Sequence, residues 1–197
     1  RGSRAARSLM TVEEPRVITH TQPDAGTPPI TLSQSDVDIA LTALRAGNGP
    51  LAVDAERASG YRYSQRAYLL QFTRVDAPIV LLDPTTDADL SDFIAFANET
   101  PWILHAATQD LPCLRERGFA PVSVFDSELA AKVLGRPRVG LAALLEQELG
   151  VVLAKEHSAV DWSTRPLPED WLSYAALDVE FLVQLHEQLL AALEESG

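Results

Sequence analysis

The sequence predicts an α/β domain, a mixed β-sheet flanked by helices. Three observations lead there. Short apolar runs of strand length, "PLAVDAE", "RAYLLQFTR" and "PIVLLD", follow one another closely. Segments with apolar spacing of three and four then alternate with further short apolar runs. At 197 residues, with 46% hydrophobic and 22% charged residues, the chain suits one compact domain.

The elements follow in chain order. Residues 1–30 are rich in Pro, Thr and Gly, lack periodicity, and read as a flexible tail ahead of a domain over 31–197. Within that tail, residues 1–9 read as an appended leader and Met10 as a native start. "SQSDVDIALTALRAG" opens on capping residues and closes on Gly47, which predicts a helix over about 35–46. The three strand-like runs come next and predict three antiparallel strands. "DADLSDFIAFANE" reads as a helix, "PWILHA" as a short strand, and "TQDLPCLRERG" as a helix with Pro112 in its first turn. "VSVFD" is a strand whose Asp126 caps the helix "SELAAKVLG", and "LAALLEQELG" is another helix. "KEHSAVDWSTRPLP" reads as a loop, and one last helix runs from about 168 to 194.

Charge and composition narrow the function classes. The formal net charge is −12, and about −15 without the first nine residues and their three arginines. Such a charge disfavours sequence-blind attraction to nucleic acid but leaves a local basic site open, and it suits divalent cations. No apolar run approaches the length that spans a bilayer. The single cysteine, Cys113, rules out an internal disulfide and fits a reducing, cytoplasmic setting. There is no G-x-S-x-G, no phosphate-binding G-x-x-x-x-G-K-[ST], no H-E-x-x-H and no paired cysteines for zinc.

Three segments carry candidate chemistry. Asp54 and Glu56 lie two apart on a strand, so both side chains emerge on one face at its C-terminal end and can meet a hard cation. The pair reads equally as a polar strand end, and Asp-x-Glu recurs at Asp126/Glu128 and Asp178/Glu180. In "YAALD", Tyr174 and Asp178 are four apart on one helix face; alone, that is a packed tyrosine with a solvated acid beside it. In "LHAATQDLPCL", Asp110 falls in a first helical turn, where a carboxylate is favoured in any case, and His105 reads as a packed histidine at a strand end.

In that order, "VDAE", "HAATQD" and "YAALD" resemble the DEDD superfamily of 3′–5′ exonucleases, in the subgroup with tyrosine in the third motif. Over about 140 residues, Leu51 to Leu190, the chain resembles ribonuclease D. "YLLQFT", "IVLLDP", "VFDSELAAKVLG" and "LAKEHSAVDWSTRPLPEDWLSYAALDV" add to the match. The resemblance implies a ribonuclease H-like fold and a site of Asp54, Glu56, Asp110 and Asp178 holding two divalent ions, Mg²⁺ or Mn²⁺. Tyr174 would orient the attacking water, and nucleoside 5′-monophosphates would leave from the 3′ end. The implied partner is RNA with a single-stranded 3′ end, such as a tRNA precursor, with no membrane and no obligate protein partner. A DNA 3′–5′ exonuclease and a non-catalytic RNA-binding scaffold are the alternatives; the presence of all five catalytic side chains weighs against the scaffold.

Basic residues flank the motifs. Arg57, Arg62, Arg66 and Arg74 follow the first; Lys132, Arg136 and Arg138 lie in an acid-free stretch; Lys155, His157 and Arg165 precede the third. Phosphates need such partners, and Lys155 and Arg165 are the expected contacts, with His105 a further substrate candidate. Solvated loop charges are the equal alternative for both. Tyr61, Tyr63 and Trp162 could stack on bases, although Trp162 reads better as a core anchor. Ribonuclease D commonly adds helical C-terminal domains that hold RNA, so the resemblance implies weak RNA binding by this domain alone.

Overall fold

A computed structural model describes residues 19–58, 66–154 and 160–196. Its centre is a six-stranded sheet in the order β2-β5-β4-β3-β6-β7, formed by β2 (Ile30–Thr31), β3 (Asn48–Arg57), β4 (Ala67–Val75), β5 (Val80–Leu82), β6 (Trp102–Leu104) and β7 (Val124–Asp126). β3, β4 and β5 are antiparallel neighbours, whereas β6 runs parallel to β3, β7 to β6 and β2 to β5. The mixed sheet and the antiparallel trio match the expectation.

Alternation along β3 assigns its two faces. Leu51, Val53 and Ala55 pack with α1 (Gln34–Ala46), α2 (Ser91–Glu99) and α3 (Leu111–Glu116). An aromatic cluster fills that side: Phe72 lies 5.1 Å from Phe93, 5.7 Å from Phe119 and 6.2 Å from Trp102, centroid to centroid. Such pairs add about 0.5–1.5 kcal/mol each beyond the area they bury. Ala52 faces the other way, into a layer made by α4 (Ser127–Val133), α5 (Leu141–Leu144), α6 (Glu169–Glu180) and α7 (Leu182–Ser196). Asp54 and Glu56 share the parity of Ala52 and so lie on the α6 and α7 side.

The helix ends follow local chemistry. Ser33 Oγ accepts from Asp36 N at 3.2 Å while Asp36 Oδ2 accepts from Ser33 N at 2.9 Å, a reciprocal cap on α1. α1 stops at Gly47, where a Cβ would sit 2.7 Å from the Val75 carbonyl oxygen, so only glycine lets the helix end press on the β4–β5 turn. Pro112 stands in the first turn of α3, as expected.

Two expectations are corrected. Residues 19–30, read as part of a flexible tail, are packed. β1 (Thr19–His20) pairs with β8 (Val152–Leu153), the His20 ring stands edge-on to Phe181 at 5.0 Å, Asp24 N donates to Glu180 Oε1 at 2.8 Å, and the Thr27 and Ser173 hydroxyls are bonded. These partners are about 130–160 residues away in the chain, and a two-residue strand has no periodicity to reveal it. The single helix expected over 168–194 is also two: α6 ends at Glu180, and Phe181 breaks the run at φ −104° and ψ 2°. The break lies where the N-terminal segment packs against Glu180 and Phe181. α5 continues as a π-helical turn, Leu145–Leu149, closed by Gly150 at φ 69°.

The segment ahead of α6 is locked to the sheet by one ion pair. Asp83, 2% exposed at the end of β5, accepts from Arg165 Nε at 2.8 Å and from Thr85 N and Oγ1. Arg165 also donates to the carbonyls of Trp162, Thr164 and Tyr68 at 2.7–2.9 Å. The guanidinium expected on phosphate is therefore consumed by the fold, with four acceptors on its five N–H groups. Arg165→Ala should cost about 2–4 kcal/mol, because it strands a buried carboxylate. Urea unfolding checks this; a variant of unchanged stability with weakened RNA binding would restore Arg165 to the substrate.

Candidate active site

Three segments distant in sequence bring their acids to one place. β3 contributes Asp54 and Glu56 from its C-terminal end. β6 runs parallel to β3, so the turn after it emerges at the same edge and carries Asp110. This edge is where open α/β sheets present their sites. α6 crosses β3 on the face that Asp54 and Glu56 share, with Tyr174 and Asp178 one turn apart on one side of the helix. Each of Asp54, Glu56 and Asp178 offers an oxygen within 4.8 Å of the other two, and all three are half-buried.

Asp110 joins this group differently. It is the residue just before α3 rather than one in its first turn, and its carboxylate makes no cap bond. That leaves it free to hydrogen-bond Asp54 and to pair with Arg57, whose Nη2 lies 3.1 Å from Asp110 Oδ1. Arg57 Nη1 also donates to the Gln109 carbonyl at 2.6 Å, so one side chain clamps the turn at two points. Asp126 holds the turn from the other end. Its carboxylate accepts from the backbone N–H groups of Ala106 and Ala107 at 3.1 and 3.0 Å, and from Glu128 and Leu129 as cap of α4. Ala106 is held at φ 55°, an uncommon conformation for a residue with a side chain. The expected cap role of Asp126 is there; its grip on the Asp110 turn has no signal in the sequence.

Burial comes first in the electrostatics, and crowding adds to it. Burial pushes the Asp54 carboxyl up to about 6, against its hydrogen bonds and the pull of Arg57. Burial, and then the Asp54 charge, push Asp110 up to about 8. Glu56 and Asp178 are raised well above the ordinary range by burial and by the other carboxylates. Tyr174, hydrogen-bonded to Asp178, is raised by burial and by the charges of Asp178, Glu56 and Asp54, so its hydroxyl stays protonated at any working pH. Oxygen-only donors, mutually repelling and partly withdrawn from water, are the set that a hard divalent cation takes. The donor set fits such ions, with Asp54, Glu56 and Asp178 already converged and Asp110 one hydrogen bond away.

The other candidates fall elsewhere. His105 Nδ1 is 3.0 Å from Ser127 Oγ, which donates to the Leu104 carbonyl, and burial lowers its pKa. It is a neutral ring in the β6–β7 packing, which answers to the packed-histidine reading. Trp162 is 1% exposed, 5.6 Å from the Trp171 ring and 6.4 Å from the Tyr174 ring: a core anchor that backs the tyrosine. The flanking cations are largely engaged. Lys132 pairs with Glu128 at 2.7 Å, Arg136 with Glu148 at 2.8 Å and Arg138 with Glu146 at 3.1 Å. Arg74 donates to the carbonyls of Leu44 and Gly49, far from the acids in the sheet. Lys155, His157, Tyr61, Arg62 and Tyr63 lie outside the described residues.

The raised acids make a pH prediction. Asp54 binds its proton more tightly folded than unfolded, so its contribution to stability is full below the ordinary value of 3.8 and is lost as pH climbs through about 6. In chelator-treated protein, Asp54→Asn should therefore gain about 1–2 kcal/mol over the parent above pH 7, allowing for the half-exposed site, and little at pH 4. Urea midpoints measured across that range should diverge as pH rises. Divalent ions should reverse the order, because they stabilise the parent by mass action. Parallel midpoints would mean that burial does not raise the Asp54 carboxyl.

The chain matches the model of the 3′–5′ exonuclease family over residues 30–194. It is 34% identical to ribonuclease D of Escherichia coli (strain K12) over 152 residues, 75% of this chain and 40% of that protein. It is 30% identical to ribonuclease D of Cronobacter turicensis over 170 residues, 84% of this chain and 46% of that one. The chain thus spans less than half the length of these curated relatives. Among solved structures, a Bifidobacterium adolescentis protein superposes at a TM-score of 0.88 with 45% identity, covering 92% of this chain and 45% of that one. Escherichia coli RNase D, described as an exoribonuclease involved in structured RNA processing, superposes at 0.74 with 31% identity, covering 85% and 45%. The sheet order and the flanking helices are those of the ribonuclease H-like fold these domains share, and with a family match across most of its length this chain belongs to the 3′–5′ exonuclease family.

Proposed function

We propose that this domain is a metal-dependent 3′–5′ exoribonuclease of the ribonuclease D type, with Asp54, Glu56, Asp110 and Asp178 as ligands for two divalent ions, Mg²⁺ or Mn²⁺, and Tyr174 beside them. The observation that carries it is the convergence of Asp54, Glu56 and Asp178 from two distant segments, with Asp110 bonded to Asp54 and Tyr174 to Asp178. The substrate is the single-stranded 3′ end of an RNA, with a tRNA precursor as the physiological type. The chain's similarity to ribonuclease D supports RNA over DNA. The setting is cytoplasmic, in keeping with a lone, buried Cys113; among the described residues no helix is long and apolar enough to cross a membrane.

Bound divalent ions would supply water ionised at neutral pH and would offset the charge that builds on the phosphate. The protein's own groups do the rest. The acids fix where ions and phosphate can lie. Arg57 holds the Asp110 turn against β3. Tyr174 remains a protonated hydroxyl, bonded to Asp178 and backed by Trp162, so it orients water by hydrogen bonding and is no base.

A time course on 5′-labelled RNA should show a ladder shortening from the 3′ end and nucleoside 5′-monophosphate as product. It should stop in EDTA and resume with Mg²⁺ or Mn²⁺. A 3′-phosphate should block it and a 5′ block should not. Matched DNA degraded much faster than RNA would make this a DNA exonuclease, and mid-chain fragments appearing first would make it an endonuclease.

Tyr174→Phe isolates the orienting role. Removing the one hydroxyl that orients the attacking water should lower the single-turnover rate by roughly 10²–10⁴-fold. Mn²⁺ and RNA affinities should stay near those of the parent. Lost RNA affinity with normal cleavage of bound RNA would make Tyr174 a binding or packing residue.

A further inference from the structure

Among the described residues, Gln71 is a buried side chain near the site with both of its polar atoms unbonded. It sits in the middle of β4, is 0% exposed, and has neither its Nε2 nor its Oε1 hydrogen-bonded. A buried polar group left without a partner has lost its water and gained nothing in return. A leucine or methionine would fill similar volume at no such cost, and the flanking residues of β4, Leu70 and Phe72, are apolar.

Register says what the amide lies beside. Gln71 is the direct cross-strand partner of Asp54, in the same ladder that pairs Leu69 with Glu56 and Thr73 with Ala52. Directly opposed residues share a face, with Cβ atoms about 4.5–5.5 Å apart, within reach of a side chain as long as glutamine. Its neighbour on the other side is Leu81, which offers no hydrogen bond. α6, bearing Asp178, closes over this part of the sheet. The polar partner that the sheet places beside this amide is thus a carboxylate of the site.

We propose that Gln71 is a positioning residue for the carboxylate site: once a divalent ion is bound, its amide NH₂, unbonded without the ion, donates to the cross-strand Asp54 and holds that carboxylate in the orientation the ion needs. The inference rests on the carboxylates being a metal site. An ionised Asp54 has more lone pairs than an ion uses, and an amide donor on the outer oxygen fixes the other towards the ion. Partners behind a ligand commonly raise metal affinity in this way. Gln71 touches neither ion nor substrate on this account; it acts through Asp54.

The test separates a positioning role from a packing one by sign. Gln71→Met keeps the volume and removes both unpaired groups, so metal-free protein should melt at the same temperature or higher. Calorimetric titration without RNA should show Mn²⁺ binding weakened by roughly 10–100-fold. In an Asp54→Asn background the same change should alter Mn²⁺ affinity far less, since the partner is already changed. At saturating Mn²⁺, KM for an RNA oligomer should be that of the parent. Unchanged Mn²⁺ affinity in Gln71→Met overturns the inference while leaving the metal site intact. Metal-free instability in both Gln71→Met and Gln71→Leu also overturns it, in favour of packing. A parent protein that binds no Mn²⁺ overturns the metal site itself and this inference with it.

Discussion

Like charge held close together is the constraint on which the rest of this structure depends. Asp54, Glu56 and Asp178 present oxygens within 4.8 Å of one another, and Asp110 is bonded to Asp54. Nothing in that arrangement favours folding while the site is empty of cations, since burial and mutual repulsion both oppose ionisation. The stability must come from elsewhere, and it does. An aromatic and aliphatic core fills one face of the sheet, and four helices cover the other, so the acids are placed at a strand edge by packing that they do not join. Arg57 pairs with one of the four acids, and its second bond is to backbone, which makes it as much a clamp on the Asp110 turn as a counter-charge.

How much of this the sequence discloses depends on whether the signal is local. Asp54 and Glu56 could be placed on one face by the period of a strand, and Tyr174 with Asp178 by the pitch of a helix; both hold in the structure. Asp110 could be placed after a strand, but its freedom from capping depends on where α3 starts, which shifts by a residue or two without changing the pattern. The packing of residues 19–30 could not be seen, because its partners at Ser173, Glu180 and Phe181 are joined to it only through the finished fold. Gln71 in "YLLQFT" looks like an ordinary polar residue in a strand. Only its register against Asp54 and its unbonded amide single it out.

The cations show the same limit from the other direction. A count of basic residues near the motifs suggested a path for a polyanion. Sequence cannot say which acid each base meets, and in the structure most meet one close by. Arg136 turns to Glu148 twelve residues on and Arg138 to Glu146 eight residues on, Lys132 to Glu128 one helical turn back, and Arg165 to Asp83 across the sheet. A base already paired with an acid needs no substrate to explain it, and the exposed pairs, such as Arg138 with Glu146, contribute little to stability either.

That pairing bears on how a strongly acidic domain could receive a nucleic acid at all. A phosphate chain approaching a −12 protein meets net repulsion, and the four carboxylates concentrate it where the proposed function would seat a phosphate. With its basic residues largely engaged, the described surface offers few free cations to offset this. The offset has to come from what the carboxylates bind. Ions that settle among Asp54, Glu56, Asp110 and Asp178 would change the sign of the site from one that repels phosphate to one that attracts it. Linkage then requires the converse: bound RNA tightens the ions by the same factor by which the ions tighten RNA. On this account the crowding is the source of selectivity for a loaded site. On the proposed function, basic residues that gripped RNA without ions would hold substrate that could not be cut, and the described pairs with acids work against that state.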